Sequence, residues 1–252
     1  NLPIPVIIVG AQRSSDRPSS DAATNLIGAV KAAAYGPFAE VVIAMHETVA
    51  DTTISLNRGC KVRKCHTSRR DTFKPINTST FAQVTTHGIK MLTNDYQKRD
   101  PNKKLLIKAN FDVNVALIKF FPGFDPSLIQ YYTQRKVKAI LLEGTGLGHI
   151  SRGCFKQIQD AIENHNLIIA LSSQCIWGRV NMNVYDTGRD LLKLGVIPTD
   201  DMFPETALVK LMWSLGQTQN IEEAKQLFKT NTVGELTSRT LPQETQIHEG
   251  DQ

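Results

Sequence analysis

The sequence predicts an α/β protein in which part of a larger domain, built on a parallel or mixed sheet, precedes a smaller three-layer α/β domain. Short, β-branched apolar runs alternate with segments whose apolar residues recur at helical spacing, which is the pattern of strand–helix–strand units. Residues 94–104 are charged, contain a proline and have almost no apolar side chains, so they predict a linker. We therefore expect domains at residues 1–98 and 103–237 and a polar tail at residues 238–252.

The first half opens with one strand–helix–strand unit. The apolar run Pro5–Gly10 predicts a central strand, Asp21–Ala34 a helix and Val41–Met45 the next strand. The chain has no initiator methionine and enters its first apolar strand within a few residues. We therefore expect a piece of a longer protein, with residues 1–98 as the C-terminal part of its larger domain.

The second half alternates more clearly between the two patterns. Val115–Phe121, Lys138–Glu143 and Leu167–Ser172 predict three strands. Helices are predicted near residues 126–136, 152–164, 187–194, 202–215 and 221–228. The helix at 202–215 has Pro204 near its start and Gly216 behind it, the residue types that begin and end helices.

Composition and charge argue against several classes of protein. No apolar run reaches the roughly 18 residues that span a membrane. The net charge of +5 is mild, and no RRM, KH or helix-turn-helix pattern accompanies the basic clusters, so nucleic-acid binding is not the favoured function. The four cysteines and six histidines show no zinc, disulfide or other ligand spacing. We expect no metal in this chain and a reducing, cytoplasmic location.

Each main predicted strand ends in a polar or glycine-rich loop, which is where α/β folds hold their sites. The longest of these loops, His46–Asp71, carries five basic residues, Lys61, Arg63, Lys64, Arg69 and Arg70. Two interpretations stay open: a solvated basic surface, which composition favours, and a site where a lysine acts as a base. The second requires an amine that is held uncharged, which burial and neighbouring positive charge favour.

A second loop contains the run GTGLGH at residues 144–149. Its glycines would let backbone amides approach an anionic ligand, but the spacing is not the dinucleotide fingerprint, and a tight turn is an equal alternative. Ser172, Ser173 and His149 come without a G-x-S-x-G motif, so a serine hydrolase is not predicted. The isolated His46 and His66 are interpreted as hydrogen-bonded structural residues.

Several stretches together resemble the type I L-asparaginase family. They are PVIIVGAQRSSDRPSSDAATNL from residue 5, residues 41–74, GTGLGH, SSQCIWGRVNMNVYDTGRDLLKLGVI from residue 172 and DMFPETALVKLMW from residue 201. The resemblance extends to about Thr230 and implies an asparaginase-like fold for both domains. WGRVNMNVY and DMFPETALVKLMW are most similar to the branch formed by the D-type subunits of archaeal glutamyl-tRNA(Gln) amidotransferases.

The resemblance implies hydrolysis of a side-chain carboxamide by a threonine nucleophile through an acyl-enzyme. A second threonine, an aspartate and a lysine handle protons in that family, and Lys64 matches the lysine. The substrate-binding loop is matched by Gly10, Ala11 and Gln12. His149 matches a position, asparagine in bacterial asparaginases, that reaches a neighbouring subunit's site. The family's two threonine motifs and the aspartate are absent from these residues, so we expect them elsewhere in a longer protein or in a partner chain.

The same resemblance implies a partnership. The chain would belong to a glutaminase that frees ammonia from glutamine for the conversion of glutamyl-tRNA(Gln) to glutaminyl-tRNA(Gln). A tRNA-binding kinase/transamidase partner, the E-type subunit, would use ATP and magnesium, so no cofactor is expected in this chain. A homodimer is a further family expectation, with no membrane contact, and the fragment alone is expected to be inactive. A free-standing L-asparaginase or glutaminase, and a catalytically silent binding module, remain the alternatives.

Overall fold

The computed structural model describes residues 1–239, which form two units that each contain a main sheet. The first unit spans Asn1–Ile107 and the second begins at Lys108. Residues 240–252 of the predicted polar tail lie outside the described residues. Within the described part, no helix is long and apolar enough to cross a bilayer.

The first unit has a mixed sheet that is covered on one face by a helix. Its elements are β1 (Val6–Val9), α1 (Ala22–Tyr35), β2 (Val41–His46), β3 (Ile54–Arg58), β4 (Val62–Lys64), β5 (Phe73–Pro75), β6 (Ala82–Thr85) and β7 (Gly88–Met91). β1 and β2 pair in parallel, and the antiparallel strands β3, β6 and β7 complete the order β1-β2-β3-β6-β7. Ala32 of α1 packs with Phe38 and Leu56 in a core where all three are fully buried. The separate hairpin β4–β5 projects from this sheet's connections.

The segment predicted as one long polar loop, His46–Asp71, is wrong in part because it contains β3 and β4. β3 pairs with β2 and is buried over most of its length, yet it carries the polar residues Ser55 and Asn57. Ser55 Oγ donates to Met45 O at 3.2 Å, and Asn57 Nδ2 donates to Ser55 Oγ at 3.2 Å. Because these hydrogen bonds compensate burial, a central strand can hold side chains that suggest a loop.

The second unit is built on a parallel sheet. Its elements are β8 (Val115–Lys119), α2 (Ser127–Gln134), β9 (Ala139–Gly144), α3 (Phe155–Glu163), β10 (Ile168–Ser173), α4 (Asp186–Lys193), β11 (Ile197–Pro198), α5 (Pro204–Gln217) and α6 (Ile221–Lys229). The strands run parallel in the order β11-β10-β9-β8. The short β11 was not expected, because two residues are too few to show a strand pattern.

Alternate residues of β9 and β10 point to opposite faces of this sheet and produce three layers. Ile140 and Ile169 pack with Ile158 of α3 on one face. Leu141, with Leu211 of α5, packs on the other face, where α6 also contributes. The predicted fold class, a mixed sheet followed by a three-layer parallel unit, is therefore confirmed.

Gly216 does not follow the helix, as predicted, but lies inside α5. The backbone at Asn110 passes directly against this position, since a Cβ on Gly216 would lie 2.4 Å from Asn110 O and 2.6 Å from Asn110 C. The glycine therefore permits close approach between a helix and an irregular segment of the same unit.

Gly216→Ala is expected to destabilise the second unit by roughly 1–3 kcal/mol, although alanine normally stabilises a helix interior. The backbone cannot move aside as a flexible side chain can. Urea unfolding followed by tryptophan fluorescence measures the effect, because both tryptophans, Trp177 and Trp213, lie in this unit. Gly153→Ala is the control, since its Cβ would meet Ser151 Oγ at an ordinary 3.4 Å. A Gly216→Ala variant as stable as the control would contradict the close approach.

Candidate active site

The loop Gly10–Arg13 follows the carboxyl end of β1 and is held by Asp21. The backbone amides of Gln12 and Arg13 each donate to Asp21 Oδ1 at 3.0 Å. Asp21 is fully buried, and burial alone would raise its pKa, but the hydrogen bonds from Gln12 and Arg13 help to lower it. The ionised carboxylate therefore fixes the loop backbone, leaving Ala11 exposed and Gln12 half-buried.

Asn25, one helical turn after Asp21, connects this loop to β2. Its Nδ2 donates to Gly10 O and to Asp21 Oδ2, both at 2.9 Å. Its Oδ1 lies 2.6 Å from His46 Nδ1, at the end of β2. Asn25 and His46 are both fully buried, so the loop and the strand are joined through the interior of the unit.

His46 continues the connection to the basic segment. Its Nε2 lies 2.8 Å from Asp51 Oδ1, and the same oxygen accepts a hydrogen bond from Arg70 Nη1 at 2.7 Å. The hydrogen bond with His46, supported by the charge of Arg70, lowers the pKa of Asp51. The interpretation of His46 as a hydrogen-bonded residue is confirmed, and its partners link two segments that are distant in sequence.

Lys64 lies at the end of β4, opposite Phe73 of β5. The turn beyond it is organised by Thr72, whose Oγ1 accepts from the amide of His66 at 2.6 Å and donates to His66 O at 2.5 Å. His66 Nδ1 in turn accepts from the amides of Ser68 and Arg69, both at 3.1 Å, which confirms the structural interpretation of His66. The hairpin therefore presents the lysine from a hydrogen-bonded scaffold.

The side chain of Lys64 is exposed and makes no hydrogen bond or ion pair with the residues that the structure describes. The burial expected to keep a catalytic amine uncharged is therefore not found around Lys64 in residues 1–239. Lys61 is the buried lysine of this segment, at 1% exposure. Its position in a short 3-10 helix before β4 explains the difference, because it points from the start of the hairpin rather than from its open end.

The other basic residues of the segment include ion-paired ones. Lys74 Nζ donates to Asp71 Oδ2 at 3.1 Å and to Glu47 O at 3.2 Å, and Arg69 Nε donates to Asp71 Oδ1 at 2.9 Å. Burial would raise the pKa of Asp71, but the hydrogen bonds from Arg69 and Lys74 lower it. The interpretation of the whole cluster as a solvated basic surface is therefore wrong for these residues.

His149 follows the glycine turn after β9 in the second unit. Gly146 and Gly148 have φ angles of +52° and +95°, and a Cβ on Gly148 would lie 2.7 Å from the side chain of Val180. Both ring nitrogens of His149 are buried and have no hydrogen-bond partner among the described residues. The ring packs edge-on against Tyr185, with 5.2 Å between centroids. A buried imidazole without a partner is costly, which distinguishes this turn from an ordinary connection.

The structure thus places Gly10, Ala11, Gln12 and Lys64 in the first unit and His149 in the second. Sequence reasoning missed the buried Asp21–Asn25–His46 connection. Asp21 was read only as the start of a helix. The signal that could have been used is the spacing of four between Asp21 and Asn25, which places both side chains on one helix face.

Two solved L-asparaginases share this architecture. The enzyme of Thermococcus kodakarensis superposes with a TM-score of 0.84 at 30% identity, covering 95% of this chain and 70% of that chain. L-asparaginase I of Vibrio cholerae gives a TM-score of 0.80 at 28% identity, covering 94% and 69%. The fold and its strand-end loops therefore define an α/β protein of the amidohydrolase class.

Family models identify the group within that class. "Asparaginase, N-terminal" matches residues 1–97, and "Glutaminase/Asparaginase C-terminal domain" matches residues 114–228. The chain belongs to the asparaginase/glutaminase family.

The curated relatives point to one branch of that family. The D-type subunit of the glutamyl-tRNA(Gln) amidotransferase of Thermofilum pendens is 48% identical over 240 residues, covering 94% of this chain and 52% of the relative. The D-type subunit of the Pyrococcus abyssi enzyme is 49% identical over 241 residues, covering 95% and 54%. The chain thus spans about half the length of the curated relatives it matches.

Proposed function

We propose that this chain is part of the glutaminase subunit of a tRNA-dependent amidotransferase, which releases ammonia from glutamine. The supporting observation is the 48–49% identity to the D-type subunits over almost the whole chain. The L-asparaginase structures are less similar in sequence, at 30% and 28% identity. Their fold nevertheless supports a free-standing asparaginase as the second candidate.

In the proposed reaction, Lys64 acts as the base. Its neutral amine takes the proton of a threonine hydroxyl, whose oxygen attacks the side-chain carboxamide carbon of glutamine. The C–N bond breaks, the nitrogen leaves as ammonia with a proton, and a glutamyl ester remains. Water then hydrolyses the ester to glutamate and restores the hydroxyl. The threonine, its companion threonine and the aspartate would come from outside these 252 residues.

The remaining site residues would position the substrate. The backbone of Gly10, Ala11 and Gln12 presents an ordered loop to the amide, because Asp21 and Asn25 hold it from the interior. His149 offers two unpaired ring nitrogens. We place it in substrate contact across a homodimer.

The ammonia would be used by an E-type partner subunit that binds tRNA and supplies the ATP- and magnesium-dependent kinase/transamidase step. This chain would then need no cofactor of its own. Its proposed location is the cytoplasm, where charged tRNA is available.

Glutamine hydrolysis by the full-length protein is expected to rise when the partner subunit and glutamyl-tRNA(Gln) are added. Ammonia release, measured with glutamine and with asparagine in the presence and absence of both components, tests this. Preference for asparagine with no effect of the partner would favour the free-standing asparaginase. No release from either amide under any condition would favour a silent binding module.

A further inference from the structure

The hydrogen bonds around Asn25 fix the orientation of its amide group. Its Nδ2 faces two acceptors, Gly10 O and the Asp21 carboxylate, each at 2.9 Å. If the amide were turned over, its oxygen would face both acceptors, and three oxygens would be left without a proton between them. The oxygen must therefore be the atom that faces His46, at 2.6 Å.

This orientation determines the protonation of His46. Nδ1 faces the amide oxygen of Asn25, which can only accept, so Nδ1 carries a proton. Nε2 faces Asp51 Oδ1 at 2.8 Å, and the lowered pKa of Asp51 keeps this carboxylate ionised at neutral pH. A carboxylate also only accepts, so Nε2 carries a proton as well. The fully buried ring is thus an imidazolium that donates from both nitrogens.

The charges near this imidazolium favour it. Asp51 is in direct contact and also binds Arg70. On the side of α1, Asp21 lies one hydrogen bond further on, through Asn25. Glu47 follows His46 in the chain, its side chain accepting from Gln83 and its carbonyl oxygen accepting from Lys74. Two carboxylates therefore bracket the ring, with Arg70 beyond one of them.

We propose that His46 is a positioning residue for amide hydrolysis, which in its doubly protonated form ties the Gly10–Arg13 loop to the Asp51–Arg70 side of the Lys64 hairpin. This inference rests on the proposed function. Loss of either ring proton leaves a lone pair facing an acceptor, so one of the two hydrogen bonds breaks. The substrate loop then loses its connection through Asn25, and glutamine binding weakens as pH rises.

The test uses the full-length protein with its partner subunit and measures KM and kcat for glutamine across pH 6–9. In the unmodified protein KM is expected to rise with pH. His46→Gln is expected to raise KM roughly tenfold or more at neutral pH, the effect of losing a hydrogen bond to a charged group, and to remove the pH dependence. His87→Gln, an exposed histidine of the same unit, is the matched control and should leave the KM profile unchanged.

Asp51→Asn provides a second variant at an exposed position, in case His46→Gln does not fold. The amide oxygen still accepts from Nε2, but the charge that favours the imidazolium is gone. The rise of KM is therefore expected at lower pH, which a purely structural contact would not produce. Hydrogen exchange at the amides of Gln12 and Arg13 should speed up in both variants and stay unchanged in His87→Gln.

Unchanged KM profiles and unchanged exchange in both variants would overturn the proposal. Failure of the proposed function gives a different pattern. In that case Lys64→Ala retains glutamine hydrolysis, or no hydrolysis occurs at all, while exchange at Gln12 and Arg13 still responds to His46→Gln.

Discussion

Lys64→Ala is expected to lower kcat for glutamine in the full-length protein, with its partner subunit, by about two to four orders of magnitude. A threonine hydroxyl is a poor nucleophile unless a base removes its proton, and alanine leaves no group to accept it. Lys64 sits at the end of an ordered hairpin and has no competing ion pair among the described residues, so its amine is free for this role. Steady-state ammonia release measures the loss.

Two companion variants separate proton transfer from charge. Lys64→Arg keeps the positive charge but cannot become neutral at working pH, so it should be as defective as Lys64→Ala. Lys90→Ala removes an exposed lysine of the same unit and should be near normal. Substantial activity in Lys64→Arg would show that Lys64 acts by its charge, and near-normal activity in Lys64→Ala would remove it from the mechanism.

The strands that sequence reasoning found are short apolar runs. β1, β9 and β10 have this composition because helices or neighbouring strands leave little room for polar side chains. β3 escaped recognition because Ser55 and Asn57 exchange apolar burial for hydrogen bonds with β2 and with each other. Such compensation depends on a partner that is ten residues away for Ser55, so a local pattern cannot show it.

The candidate site divides in a similar way. Resemblance identified Lys64 and the Gly10–Gln12 loop, because those positions lie in contiguous motifs. The connection between them runs through Asn25 and His46, which are 21 residues apart and meet only when α1 packs on the sheet. A lone histidine gives no such information in sequence. Its role follows from the acceptors that face both ring nitrogens.

Lys210→Ala is expected to destabilise the second unit by about 3–5 kcal/mol, because it leaves a buried carboxylate without its partner. Lys210 Nζ lies 2.5 Å from Glu235 Oε1, and the two side chains are 6% and 1% exposed. Burial would raise the pKa of Glu235, but the hydrogen bonds from Lys210 and from the amide of Val233 lower it. The pair's contribution is therefore present above the ordinary pKa of a glutamate and is lost as pH falls through the lower folded value.

Urea unfolding of the second unit, followed by tryptophan fluorescence at pH 7 and at acid pH, measures this loss. Lys225→Ala is the control, because its exposed pair with Glu222 on α6 should contribute no more than about 0.5 kcal/mol. The double variant Lys210→Met with Glu235→Leu should recover most of the stability and lose the acid sensitivity, since no charge remains buried. A Lys210→Ala variant as stable as the control would contradict the argument. A double variant as unstable as Lys210→Ala would show that the site depends on packing by the lysine chain rather than on its charge.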